Sequence, residues 1–147
     1  MERNIGKKVW LFYKVKYSTY LNKAKTYEIV KVLTPDECKD YCYHYVVKDN
    51  DGKEKEVREW EVVFTPQVID NRVNICKYLA DNRCWAEELS ENEETVILSI
   101  SWGDWKHDHG WCDNLMSYIG YTCKDEVVTE ENGSDCYSSD HYYIKNK

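Results

Sequence analysis

Phenylalanine and proline are almost absent from this chain, with two residues of each, and glycine occurs only six times. Two prolines and six glycines exclude a collagen-like or low-complexity polymer, and no internal repeat is present. No apolar run reaches the roughly 18 residues of a membrane helix. The opening stretch, Met1 to Lys8, lacks the apolar segment of a secretory signal, so a cytoplasmic protein is expected. No C-x-x-C pair, G-x-S-x-G elbow or phosphate-binding glycine loop occurs, which removes the commonest zinc-ribbon, hydrolase and nucleotide signatures.

What is present is aromatic, acidic and rich in thiols. Thirteen Tyr and six Trp stand against the two Phe, and side chains with a polar handle suit half-buried surfaces and interfaces. The seven Cys, in a chain without a secretory signal, read as reduced thiols used as small apolar residues. Cys38, Cys42 and His44 supply three soft ligands, one short of a structural zinc site.

Charge divides the chain. Residues 1–65 hold 13 Lys/Arg and 11 Asp/Glu, a balance of +2, and residues 66–147 hold 7 and 16, a balance of −9. The break coincides with Pro66, so two domains are expected, 1–65 and 66–147. The first reads as strands: alternation from Val9 to Tyr17, then Tyr27 to Val32, Tyr41 to Val47, Lys53 to Val57 and Trp60 to Phe64. Asp49-Asn50-Asp51-Gly52 marks a turn, and Thr34-Pro35-Asp36-Glu37 a capped single helical turn. The stretch Tyr45 to Lys53 with Val57, Trp60 and Val63 resembles the distal hairpin and last strands of SH3-like barrels. That resemblance implies a small closed β-barrel.

The second domain is expected to be α+β. Asp70 caps a first helical stretch, weakened at Asp81-Asn82 and so one bent helix or two short ones reaching Leu89. Ser90 to Glu94 is an acidic loop, and Thr95 to Ser101 is a strand with Val96, Leu98, Ile100 and Trp102 on one face. Asp104 caps a second helix ending at Gly120, and a hairpin turns about Asn132-Gly133. The order α-β-α-β-β implies helices on one face of an antiparallel sheet. A two-residue turn pairs Thr129 with Cys136, Val127 with Ser138, Cys123 with Tyr142 and Tyr121 with Ile144 as the core face. It sets Asp125 against Asp140, a repulsive pair unless exposed, proton-sharing or bound to a cation. It leaves Lys124, Glu126, Tyr137, Ser139, His141 and Tyr143 on a solvated face.

Chemistry concentrates in Trp102 to Asp113, which holds three Trp, two His and one Cys. His107 and His109 are candidate metal ligands, but two residues apart on a helix they diverge by about 200°. Cys112 falls on an apolar helical stripe with Trp105, Met116 and Ile119. Cys112 or Cys136 with His109 or His141 is the arrangement a Cys/His hydrolase would use, and Asp125 with Asp140 would serve a metal enzyme. No cofactor and no catalytic set is assigned. Trp102, Trp105 and Trp111 suit partner anchors, with Asp104, Asp108, Glu130, Glu131 and Asp135 as charged contacts.

Trp102-Gly103-Asp104-Trp105-Lys106-His107-Asp108-His109 and Thr129-Glu130-Glu131-Asn132-Gly133-Ser134-Asp135-Cys136-Tyr137-Ser138 resemble small proteins of bacteriophages and mobile elements. That resemblance implies an anti-CRISPR-like inhibitor of a host defence nuclease, docking an acidic, aromatic surface on a basic groove. The rival is a single-stranded nucleic-acid binder: residues 1–33 hold eight Lys/Arg and two Asp/Glu among Trp10, Phe12, Tyr13, Tyr17, Tyr20 and Tyr27. The overall balance of −7 argues against nucleic acid, and the opposed halves invite head-to-tail homo-oligomers. No membrane partner is expected.

Overall fold

The computed structural model describes residues 2–39, 41–84, 88–92, 94–102, 108–131 and 137–147. It is a mixed α+β structure built from antiparallel sheets, in two compact units, Met1–Thr65 and Pro66–Lys147. No described helix is long and apolar enough to cross a membrane.

Unit 1 comprises β1 (Lys8–Val15), β2 (Ser18–Leu33), the turn of helix α1 (Pro35–Cys38), β3 (His44–Lys48), β4 (Glu54–Arg58), a 3-10 turn at Glu59–Glu61 and β5 (Val62–Phe64). The strand order is β4-β3-β2-β1-β5. Alternation carries Val9, Leu11, Ile29, Val47 and Val62 into one apolar core with Tyr27, Tyr45 and Phe64. The Thr34 hydroxyl accepts from the Glu37 N–H, capping α1 as its sequence implied. Asp49 holds the β3–β4 turn by accepting from the Asp51 and Lys53 N–H groups, with Gly52 at a positive φ of 82°.

The expected closed barrel is not formed: the sheet is open, with β4 and β5 as its two edges. The three-residue β5 pairs only with Val9 to Leu11 of β1. β2 is also far longer than alternation indicated, 16 residues instead of the six from Tyr27 to Val32.

Unit 2 begins with a two-strand ribbon, β6 (Val68–Ile69) and β7 (Arg72–Val73). Asp70 and Asn71 have φ of 54° and 63°, the pair of positive values that a type I′ hairpin turn needs. Asp70 is therefore a turn residue, and Asn74 caps helix α2 (Ile75–Asp81) by accepting from the Lys77 N–H. The helix stops well short of Leu89, closed by Arg83 at φ 62°. Part of the expected acidic loop is strand β8 (Glu88–Glu91), because Asn92 accepts from the Glu94 and Thr95 N–H groups and turns the chain into β9 (Thr95–Trp102). Helix α3 (Asp108–Tyr118), β10 (Tyr121–Glu131) and β11 (Tyr137–Lys145) complete the unit, with sheet order β10-β11-β9-β8. Gly120, at φ 92°, ends the turn after α3.

The β10–β11 register differs from the expected one. Cys123 pairs with Tyr143, Asp125 with Tyr142, Glu126 with His141 and Val127 with Asp140, with shifts at Lys124 and Thr129. Each extra residue on β10 moves the pairing by one, and Asp125 and Val127 share a face with Tyr142 and Asp140 that is the outward one. Ser139, His141 and Tyr143 are fully buried, whereas Val127 and Ile144 are exposed. Asp125 and Asp140 do not face each other; Asp140 instead accepts from the Ser99 hydroxyl at 2.7 Å.

Candidate functional site

Two places in the described chain gather chemistry. The first lies between α3 and the inward face of unit 2's sheet. Alternation along β11 turns Ser139, His141 and Tyr143 the same way, toward Cys112, Leu115 and Met116 of α3, which are fully buried. The helix also brings Asp113 over the strand. His141 Nδ1 lies 3.3 Å from Asp113 Oδ1, and Nε2 lies 2.9 Å from Ser139 Oγ. The Tyr143 hydroxyl donates to Asp113 Oδ1 at 2.7 Å. From β10, Cys123 approaches the same carboxylate and Glu126 Oε1 comes within 3.8 Å of His141 Nε2.

The electrostatics follow from this crowding. Burial pushes the Asp113 carboxyl up, but hydrogen bonds from His141 and Tyr143 outweigh it and hold the group below its ordinary range. Burial, reinforced by the Asp113 charge, pushes the Cys123 thiol up to about 11. Cys112 is raised much further by its neighbour Cys84 and by burial, so it is an inert core thiol. Ser139, His141 and Asp113 are connected as a nucleophile, base and acid would be, yet Ser139 is fully buried and no substrate reaches its hydroxyl in this conformation.

The second place is the β1–β2 hairpin of unit 1. β5 covers β1 only as far as Leu11, and β3 pairs with β2 only from Glu28 onward. Residues 12–15 and 18–21 therefore pair with each other alone, as a two-stranded ribbon. Every residue from Tyr13 to Tyr20 is exposed. Tyr13 and Tyr20 are a cross-strand pair with ring centroids 5.7 Å apart. Lys16 makes the tight turn at φ 56°, with Tyr17 fully exposed beside it. Residues 12–25 contain Lys14, Lys16, Lys23 and Lys25 and no acid. At the root of the ribbon Lys25 pairs with Asp49 at 3.2 Å, and its Nζ lies over the Tyr27 ring.

The sequence-predicted residues distribute as follows. Asp104, Trp105, His107, Asp135 and Cys136 lie outside the described residues. Trp102 ends β9, Asp108 and His109 stand in the first turn of α3, and Glu130 and Glu131 end β10. Trp111 is half-buried and donates its indole N–H to the Asn82 carbonyl at 2.8 Å, so it fastens α3 to the end of α2. His44 lies 2.7 Å from Glu56, and the Cys38 thiol donates to the Thr34 carbonyl, so Cys38, Cys42 and His44 do not converge. The sequence placed Cys123 on the core face but assigned no site to Asp113 and Cys123, and it put His141 on the solvated face. The signal that could have found them is the i, i+2 spacing of Ser139, His141 and Tyr143, three hydrogen-bonding side chains on one strand face. No protein-family model matches the chain, and no similar curated protein or solved structure was found.

Proposed function

We propose that this chain is a non-catalytic binding protein whose recognition element is the β1–β2 ribbon, and that the ribbon takes single-stranded nucleic acid. One observation carries the reading: a ribbon exposed on both faces presents the Tyr13–Tyr20 pair and Tyr17 together with Lys14 and Lys16, without an acid in residues 12–25. Tyrosine faces stack on bases, and lysines neutralise phosphates. Net charge argued against this partner. Charge is felt locally, though, because salt screens beyond about 8 Å at physiological strength. The strand order β4-β3-β2-β1-β5, with a 3-10 turn before the last strand, supports an SH3-like reading of unit 1. The β1–β2 ribbon is then the binding arm.

Fluorescence anisotropy with a labelled, mixed-sequence single-stranded DNA tests the reading. Affinity should fall with salt, with a log–log slope of about −0.7 per phosphate neutralised, and the double variant K14E/K16E should lose about 1.4 of that slope. The variant Y13S/Y20S should bind about tenfold or more weakly. A flat salt response, or binding unchanged in both variants, rejects it.

A second reading rests on unit 2, a phage-encoded inhibitor docking on the basic groove of a host defence nuclease. Its support is the −9 balance of residues 66–147 and the exposed Asp125 and Glu126 on the edge strand β10, which also carries Glu130 and Glu131. Inhibition of a purified nuclease that disappears in D125K/E126K would favour it over the ribbon. Either partner would be met in the cytoplasm.

A further inference from the structure

The geometry points to a Zn(II) site in unit 2, formed by Asp113 of α3, Cys123 of β10 and His141 of β11. The ligand atoms of these three residues lie within 4.8 Å of one another, and no other such trio of His, Cys, Asp or Glu is found among the described residues. Zinc takes nitrogen and oxygen at about 2.0–2.1 Å in tetrahedral sites, which sets two such ligands about 3.3 Å apart. His141 Nδ1 and Asp113 Oδ1 are 3.3 Å apart. An ion between them needs only the Cys123 sulfur to close by a fraction of its present distance, and Cys123 is half-buried at the rim of the cluster.

The surroundings match what a metal-binding histidine requires. With Nδ1 on the ion, Nε2–H donates to Ser139 Oγ at 2.9 Å, which fixes tautomer and ring plane. The Tyr143 hydroxyl donates to the same Asp113 oxygen, Oδ1, at 2.7 Å and holds the carboxylate in place. The shift at Lys124 sets Cys123 opposite Tyr143 and Glu126 opposite His141, so a residue three further along returns to the inward face. Such bulges re-aim side chains beside sites.

Charge balances as well. Binding replaces the Cys123 S–H bond with an S–Zn bond and releases that proton to solvent. One carboxylate, one thiolate and a neutral imidazole then offset the two positive charges, so the ion with its three ligands carries no net charge, with Glu126 3.8 Å from His141 Nε2 beside it. Three protein donors leave the fourth tetrahedral position to water or an added ligand. This site is independent of the ribbon and of what the ribbon binds.

The test is titration of the full-length, chelator-treated protein with Co(II) and then Zn(II). The expected result is one ion per chain, with a thiolate-to-cobalt charge-transfer band that Zn(II) abolishes. Cys123→Ser should lose the band, Asp113→Asn should weaken uptake more than tenfold, and Ser139→Ala should weaken it about tenfold or more through His141 alone. Wild-type protein that takes up no ion overturns the site whatever the variants do. Cobalt bound without the thiolate band, or uptake undiminished in both Cys123→Ser and Asp113→Asn, overturns it equally.

Discussion

The main core of unit 1 is Val9, Ile29, Val47 and their apolar neighbours, with its exposed tyrosines and lysines on the ribbon. In unit 2 the space between α3 and the sheet holds a histidine and a tyrosine bonded to a half-buried carboxylate and a serine bonded to the histidine, all three fully buried. A hydrocarbon core needs only volume, so unit 1 has latitude in its surface. A hydrogen-bonded core needs every partner in place, because one buried polar group left unpaired costs about 1–3 kcal/mol. The two units thus place polar groups at opposite ends of the trade between stability and chemistry.

The contrast can be broken most directly at Ile29. Ile29→Ala removes fully buried hydrocarbon and should cost unit 1 about 2–5 kcal/mol. Native-state hydrogen exchange should show protection lost in β2 and β3 and kept in β9 and β11; equal loss in both units would mean that they share one cooperative core. Next in size, Asp113→Ala removes the strongest acceptor of the Tyr143 hydroxyl and the carboxylate beside His141 Nδ1 and should cost unit 2 about 1–3 kcal/mol. Asp113→Asn, which keeps an acceptor, should cost less on the same urea melt.

Acid should act on the same carboxylate. The folded pKa of Asp113 lies below its unfolded value, so its stabilisation is present above about pH 3.9 and is lost as pH falls through the folded value. Unit 1 has an acid-sensitive group of its own in Asp49, depressed by Lys53 and Asp51 N–H groups and by Lys25 against the upward push of burial. The informative quantity is therefore the stability of wild type minus that of Asp113→Asn, which should shrink on acidification from pH 6 to pH 3. The smallest effect is expected on the ribbon, where Y13S/Y20S should move the melting of unit 1 by about 0.5 kcal/mol or less, because both rings are half-exposed. A larger change would mean that the ribbon belongs to the core.

Local chemistry was readable where one residue type has one use. Thr34-Pro35 caps α1, Asp49 to Gly52 turns β3 into β4, and Gly120 closes α3. The inward set of β9 was also evident, since Val96 and Leu98 are fully buried. What could not be read was register. In β10 and β11 both faces mix aromatic with polar side chains, so a period of two does not say which face is inward, and the shifts at Lys124 and Thr129 leave no mark in composition. The ribbon escaped for a related reason. Alternation from Val9 to Tyr17 marks a strand, but it does not say that β3 and β5 fail to cover its far half. Asp113 and His141 are 28 residues apart, and only the fold brings them together.

The bulge at Lys124 has a consequence for lineage as well as geometry. A residue that the ladder does not count can be deleted without changing what its neighbours face. Removing Lys124 would leave Cys123 opposite Tyr143 and Glu126 opposite His141 in an unbroken alternation. Most single-residue deletions inside a strand reverse every side chain on one side of the cut. This one is silent to the pairing, so descendants of this sequence can differ in length at that point while keeping the same interior.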